Sequence, residues 1–242
     1  MQEQHHGFRR SALRALTLFT LAALNTPVQA ANRNYTISSF DAIRIDGPVN
    51  VVLTTGTGVS ARAEGDQGAL DRLRVELSGR VLSVTMERPQ PGQKSSGNAV
   101  LLRLSTGMLE KLVMTGGGSV SVDRMKGLRG EIISGGNGDV SVGMVDLDRI
   151  DLSFAGGGRA NLTGRAGVAN IRLSGPGAVA AEALHTRQAN IVNEGAGSVT
   201  VTADVTAKVV ASGSGDVVVT GKAAWTVDNR GTGRIGCGGD SW

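Results

Sequence analysis

A Gly-x-Gly tripeptide returns seven times between Leu109 and Gly236, and this constrains the chain more than any other feature. The second glycines of the copies are Gly118, Gly138, Gly158, Gly177, Gly197, Gly215 and Gly233, at successive spacings of 20, 20, 19, 20, 18 and 18 residues. A period of this size marks a solenoid, in which one repeat cannot bury its apolar face alone and must stack on its neighbours.

The columns of the stacked repeats carry the same message. Six residues before the glycine stand Leu112, Ile132, Leu152, Ile171, Ile191, Val209 and Val227. Two residues after it stand Val120, Val140, Ala160, Val179, Val199, Val217 and Ile235, and four after it Val122, Val142, Leu162, Ala181, Val201, Val219 and Cys237. The position directly after the glycine is mostly polar: Ser119, Asp139, Arg159, Ala178, Ser198, Asp216 and Arg234. Alternation with period two predicts strands with one buried and one solvated face, two per repeat. The seven glycines are the structural site residues that this reading singles out. A sharp corner needs positive φ or close backbone approach, and glycine accepts both. Equivalent strands are expected to lie parallel, roughly 4.8 Å apart.

Ahead of these regular coils (109–236), residues 40–108 read as a more irregular β segment. Ile43 and Ile45, then Val49, Val51 and Leu53, then Leu73, Val75 and Leu77 alternate with polar neighbours. Asp66 is placed to cap a helical turn reaching Leu70. Gln90 to Gly97 reads as a loop, after which Val100, Leu102 and Leu104 resume the alternation. The domain is expected to span 40–239 as one unit, with a lead over 31–39 and a tail over 240–242. Glycine supplies 36 of the 242 residues and aromatics only 3%. Such a composition suits a narrow coil filled by Val, Leu, Ile and Ala better than a thick globular core.

The first 30 residues read as a secretory signal. Arg9, Arg10 and Arg14 precede an apolar run from Ala15 to Leu24, and Val28-Gln29-Ala30 fits cleavage before Ala31. That run is too short to span a bilayer as a permanent helix. The formal net charge of +4 partly reflects this segment. Without it, 22 basic and 20 acidic residues remain, and no basic run points to nucleic acid. The expected location is periplasmic or extracellular. Cys237 is the single cysteine, so no intrachain disulfide forms, and its column makes it core filler.

The Phe40-Asp41-Ala42-Ile43-Arg44-Ile45-Asp46-Gly47 opening, the Val49 to Leu53 run, the Leu70 to Val84 segment and the later Ser-Gly-Ser-Gly-Asp-type turns resemble the GIN domain family. That family is described as the head domain of auto-transporter adhesins. The resemblance covers about Phe40 to Gly236. It implies an all-β, right-handed parallel β-helix-like solenoid, here with about seven regular coils, and an exported setting. It implies no catalytic residue, and no site carries over.

The chemical motifs mostly dissolve into the repeat. Gly231 to Gly236 matches a dinucleotide fingerprint, but that motif needs a following helix and strand, so it reads as the seventh corner. Asp139 and Asp216 follow their glycines, yet calcium-binding β-rolls repeat every nine residues; they read as solvated turn residues. His185 reads as an exposed loop residue outside any triad. The expectation is therefore no catalytic residue, no cofactor and no metal. The alternative is a carbohydrate-active β-helix, lyase or hydrolase, built from Asp123, Asp139, Asp146, Asp148, Asp151 and Arg159. Asp146, Asp148 and Asp151 read as loop and strand-edge charges. The partner is expected among envelope or extracellular polysaccharides or proteins. The last coil has no successor at Gly233, so Trp225 and Trp242 are expected to help close it, or its edge to support self-association.

Overall fold

The computed structural model describes residues 31–90, 99–238 and 240–241. The expected signal, most of the expected loop, and Trp242 lie outside the described residues. Of the described residues 67% are in strands and 3% in helix, and the chain winds into a β-solenoid of about six turns. The first strands are β1 (Ala31–Asn34), β2 (Ala42–Asp46), β3 (Val49–Thr55) and β4 (Ser60–Gly65). Helix α1 (Gln67–Arg72) follows, then β5 (Leu73–Ser78), β6 (Val81–Met86) and β7 (Val100–Thr106). The coils continue through β8 (Lys111–Thr115), β9 (Ser119–Val122), β10 (Met125–Ser134), β11 (Asp139–Phe154), β12 (Arg159–Leu173), β13 (Ala178–Asn193) and β14 (Ser198–Ala211). The chain closes with β15 (Val217–Thr220), β16 (Ala224–Asn229), β17 (Ile235–Cys237) and β18 (Asp240–Ser241).

Each coil has three faces rather than the two strands that the repeat predicted. On the first face Leu112, Ile132, Leu152, Ile171, Ile191, Val209 and Val227 stand in parallel register. On the second, after the glycine corner, Val120, Val140, Ala160, Val179, Val199, Val217 and Ile235 do the same. The third face stacks Met125–Gly130 on Val145–Ile150, and continues through Gly164–Ala169 and Leu184–Ala189. One strand can pass through several faces: β11 runs 16 residues, with a register irregularity between Val142 and Val145 where it bends. All but Val227 of these fourteen column residues are buried, and together with the third face they form one continuous core. The coil count falls to about six. The Gly233 corner leads only into the three residues of β17, after which the chain turns back.

The N-terminal end departs from a simple succession of coils. Strand β2 pairs with both β6 and β8, and β3 with both β7 and β9. The first coil of the sequence is therefore the second in space, and β6 and β7 lie outside it. Beyond them β5 runs antiparallel to β6, β4 antiparallel to β7, and β1 antiparallel to β4, so the expected lead contains a strand. Asp66 does cap a helix: its carboxylate accepts from the Gly68 N–H at 3.1 Å, and Ala69 and Leu70 are buried. At the other end Gly238, with φ at +61°, turns β17 into the antiparallel β18.

The corner glycines stack on one another. A Cβ at Gly118 would collide with the Val49 carbonyl oxygen, and at Gly138, Gly158, Gly177, Gly197, Gly215 and Gly233 with the carbonyl of the preceding corner glycine. The first glycine of each tripeptide is equally crowded, Gly136 against Gly116 and Gly213 against Gly195. None of these corner glycines has positive φ. Close approach is what the corner demands.

Two corners carry a further brace that the repeat columns did not single out. Asn193 is fully buried; its Nδ2 donates to the Gly197 carbonyl at 3.0 Å and its Oδ1 accepts from the Gly195 N–H at 3.1 Å. Asn229 repeats both contacts with Gly233 and Gly231. The signal was legible as Asn-x-Gly-x-Gly at 193–197 and 229–233. Asn193→Ala is expected to cost about 1–3 kcal/mol, since it strands a buried carbonyl. Urea unfolding checks this, with the exposed Gln188→Ala as a near-neutral comparison.

Candidate functional site

The solenoid scatters most of the carboxylates that sequence reasoning had grouped. Asp123 braces the corner near β3, where its Oδ1 accepts from the Thr55 N–H at 2.8 Å and the Arg124 N–H at 2.7 Å. Asp146 sits on the third face, 3.7 Å from the Lys126 ammonium. Asp148 and Asp151 also lie within β11, so none of these three is a loop residue. Asp151 Oδ1 accepts from Asn170 Nδ2 at 2.6 Å, and Asn170 Oδ1 from Asn190 Nδ2 at 2.9 Å, linking three coils along the first face. Its hydrogen bond from the Arg149 guanidinium holds the Asp151 carboxyl below the usual carboxylate range. His185 is exposed but lies on β13, not in a loop.

Asp139 and Arg159 come together. They line an open recess of about 570 Å³ at the corner between the first and second faces, with Asn137, Gly157, Asn161 and Pro176. The middle residue of the tripeptide changes from Asn137 to Gly157 to Pro176 in successive coils, and all three line the recess. The Asn137 amide lies over Gly157, where a Cβ would come within 2.8 Å of its Oδ1. Asn137 Oδ1 accepts from the Gly157 N–H at 3.2 Å, and Asp139 Oδ1 accepts from the Arg159 N–H at 2.8 Å. Each side chain thus spends one polar atom on the next coil and keeps the other for solvent. The Arg159 guanidinium makes no ion pair with any described residue.

The lining is mostly polar, with Asn137, Asp139, Arg159 and Asn161 beside Pro176 and Ala178. Carboxylate-assisted glycoside hydrolysis ordinarily uses a pair of carboxyl groups, and Asp139 is the single one lining the recess. Asp216 mirrors Asp139 by accepting from the Arg234 N–H at 2.9 Å, so both aspartates of the calcium-like turns tie adjacent coils together. Among the described residues no group of three or more His, Cys, Asp or Glu is placed to hold a metal ion. Cys237 is 1% exposed, and burial pushes its thiol above the ordinary range, away from reactive thiolate.

Comparison with known proteins places this architecture. The family described as "Putative auto-transporter adhesin, head GIN domain" matches residues 39–223, and the chain belongs to that family. Among solved structures it is similar to one described as a putative adhesin from Bacteroides fragilis NCTC 9343, with a TM-score of 0.78 and 19% identity. That likeness covers 86% of this chain and 97% of the other. A structure described as a putative lipid binding protein from Parabacteroides distasonis ATCC 8503 has a TM-score of 0.66 at 20% identity, covering 86% and 96%. One described as a putative adhesin from Parabacteroides merdae ATCC 43184 has a TM-score of 0.66 at 18% identity, with the same coverage. At these identities the likeness is one of fold. No curated protein sequence matches the chain.

Proposed function

We propose that this chain is an exported, non-enzymatic module of the cell envelope whose task is adhesive or structural display. Membership of a family described as the head domain of auto-transporter adhesins supports the adhesive part. The observation that carries the reading is how the polar side chains are used. Asp123, Asp139, Asp151 and Asp216 each accept hydrogen bonds that tie one coil to another, instead of converging on a reacting centre. The outcome is a stiff rod with polar columns on its outer faces, a form suited to holding a contact surface away from its point of attachment. The segment over 1–30 supports export.

The test is to express the full chain in a Gram-negative host, fractionate the cells and determine the mass of the product. The expected result is a protein beginning near Ala31, outside the cytoplasm, that makes coated beads adhere to cells or envelope material. A cytoplasmic protein with Met1 intact would refute the export. Exported protein whose beads adhere no better than uncoated ones would refute the adhesive role.

A further inference from the structure

We propose that the corner recess around Gly157 is a binding site for a neutral saccharide chain, a reading that rests on the adhesive role and names its ligand class. Its volume, about 570 Å³, lies within the range of roughly 300–1,000 Å³ typical of small-ligand sites. The recess is open along the solenoid surface, so an internal segment of a chain can lie in it as well as an end.

Two of the polar groups, the Asn137 amide and the Asp139 carboxylate, are oriented before any ligand arrives. Because Asn137 turns its oxygen to the Gly157 N–H, its Nδ2 is left as a donor facing outward. Because Asp139 commits Oδ1 to the Arg159 N–H, its Oδ2 is left as an acceptor. The Asn161 amide makes no hydrogen bond to another described residue and offers both a donor and an acceptor. The Arg159 guanidinium brings up to five N–H donors. Donors and acceptors thus alternate over a small area, which is the pattern that vicinal hydroxyls require, since each hydroxyl both donates and accepts. Beside them the Pro176 ring and the Ala178 methyl supply an apolar patch for the C–H face of a pyranose.

Charge selects within the saccharides. The recess holds one carboxylate, Asp139, and one guanidinium, Arg159, and no other charged residue lines it. The two cancel, so the site has no net attraction for a polyanion, and a neutral sugar meets no uncompensated charge. Holding the Asn137 amide and the Asp139 carboxylate against the next coil limits the ordering cost of binding. One such site binds weakly, and display of many copies on a surface provides the avidity.

The experiment measures binding of cellotetraose, maltotetraose and mannotetraose, with tetragalacturonate as the anionic comparison, by ligand-observed NMR on the purified protein. At least one neutral tetrasaccharide is expected to bind. Arg159→Ala should weaken it by about tenfold or more, as loss of charged hydrogen bonds does. Arg165→Ala removes the same charge from the third face and should leave binding unchanged; equal melting temperatures establish that both variants are folded. The proposal is overturned if no neutral tetrasaccharide binds, if Arg159→Ala binds as the parent does, or if only tetragalacturonate binds and both variants weaken it equally. These outcomes are separate from the wider reading. Exported protein that adheres equally with Arg159→Ala would end the saccharide site and leave the adhesive role standing, whereas sugar binding by exported protein whose beads adhere no better than uncoated ones would do the reverse.

Discussion

Replacing Gly118 by alanine is expected to destabilise the protein by about 3 kcal/mol or more, whereas Gly117→Ala, one residue away, should shift stability by less than about 1 kcal/mol. The two positions share a tripeptide and differ in what lies beyond them. A Cβ at Gly118 would collide with the Val49 carbonyl oxygen, its carbon and its nitrogen, all backbone atoms of the adjoining coil. Backbone held in a parallel ladder cannot step aside as a side chain does, so relief requires the coils to separate locally. At Gly117 a Cβ meets nothing within 4 Å. Thermal melts of both variants check the prediction. Equal melting temperatures would mean that the corners are looser than the stacked geometry requires.

Val140→Asp is expected to cost about 4 kcal/mol or more, while Ser141→Asp should cost under about 1 kcal/mol. Val140 is 0% exposed and stands between Val120 and Ala160 in the second-face column. A carboxylate there would be buried without a partner, and even protonated it would leave an unsatisfied hydroxyl inside the coil. Ser141 points to the other side of the strand, between Ser121 and Asn161. The alternation forces this difference between adjacent residues. Denaturant unfolding of both variants measures it, and similar midpoints would overturn the register of the whole second face.

Much of the architecture was legible because its signals are local. Period-two alternation is a property of a single strand, so Leu112, Val120 and Val122 declared their inward side without reference to any partner. The regular return of Gly-x-Gly then aligned the repeats, and parallel stacking of equivalent residues followed. Asp66 announced its helix by the same kind of local chemistry, a short polar side chain ahead of a run that can wind.

The third face escaped because its bends carry no tripeptide and its inward column is mixed. Leu147, Ala166, Thr186 and Ala203 occupy equivalent places, and Thr186 is buried only because its hydroxyl donates to the Thr202 carbonyl at 3.0 Å. The candidate recess was half legible. Asn137, Gly157 and Pro176 could be aligned in one column, but the bond from the Arg159 N–H to Asp139, which orients that carboxylate, exists only once two coils are stacked. What the chain dictated by itself was which residues turn inward and with what period, because strand geometry and glycine's tolerance act within a few residues. Only the tertiary structure decided that β2 lies between β6 and β8 and that Asp139 and Arg159 share a recess, because pairing between distant strands depends on which edges are free to meet, and no short stretch of sequence records that.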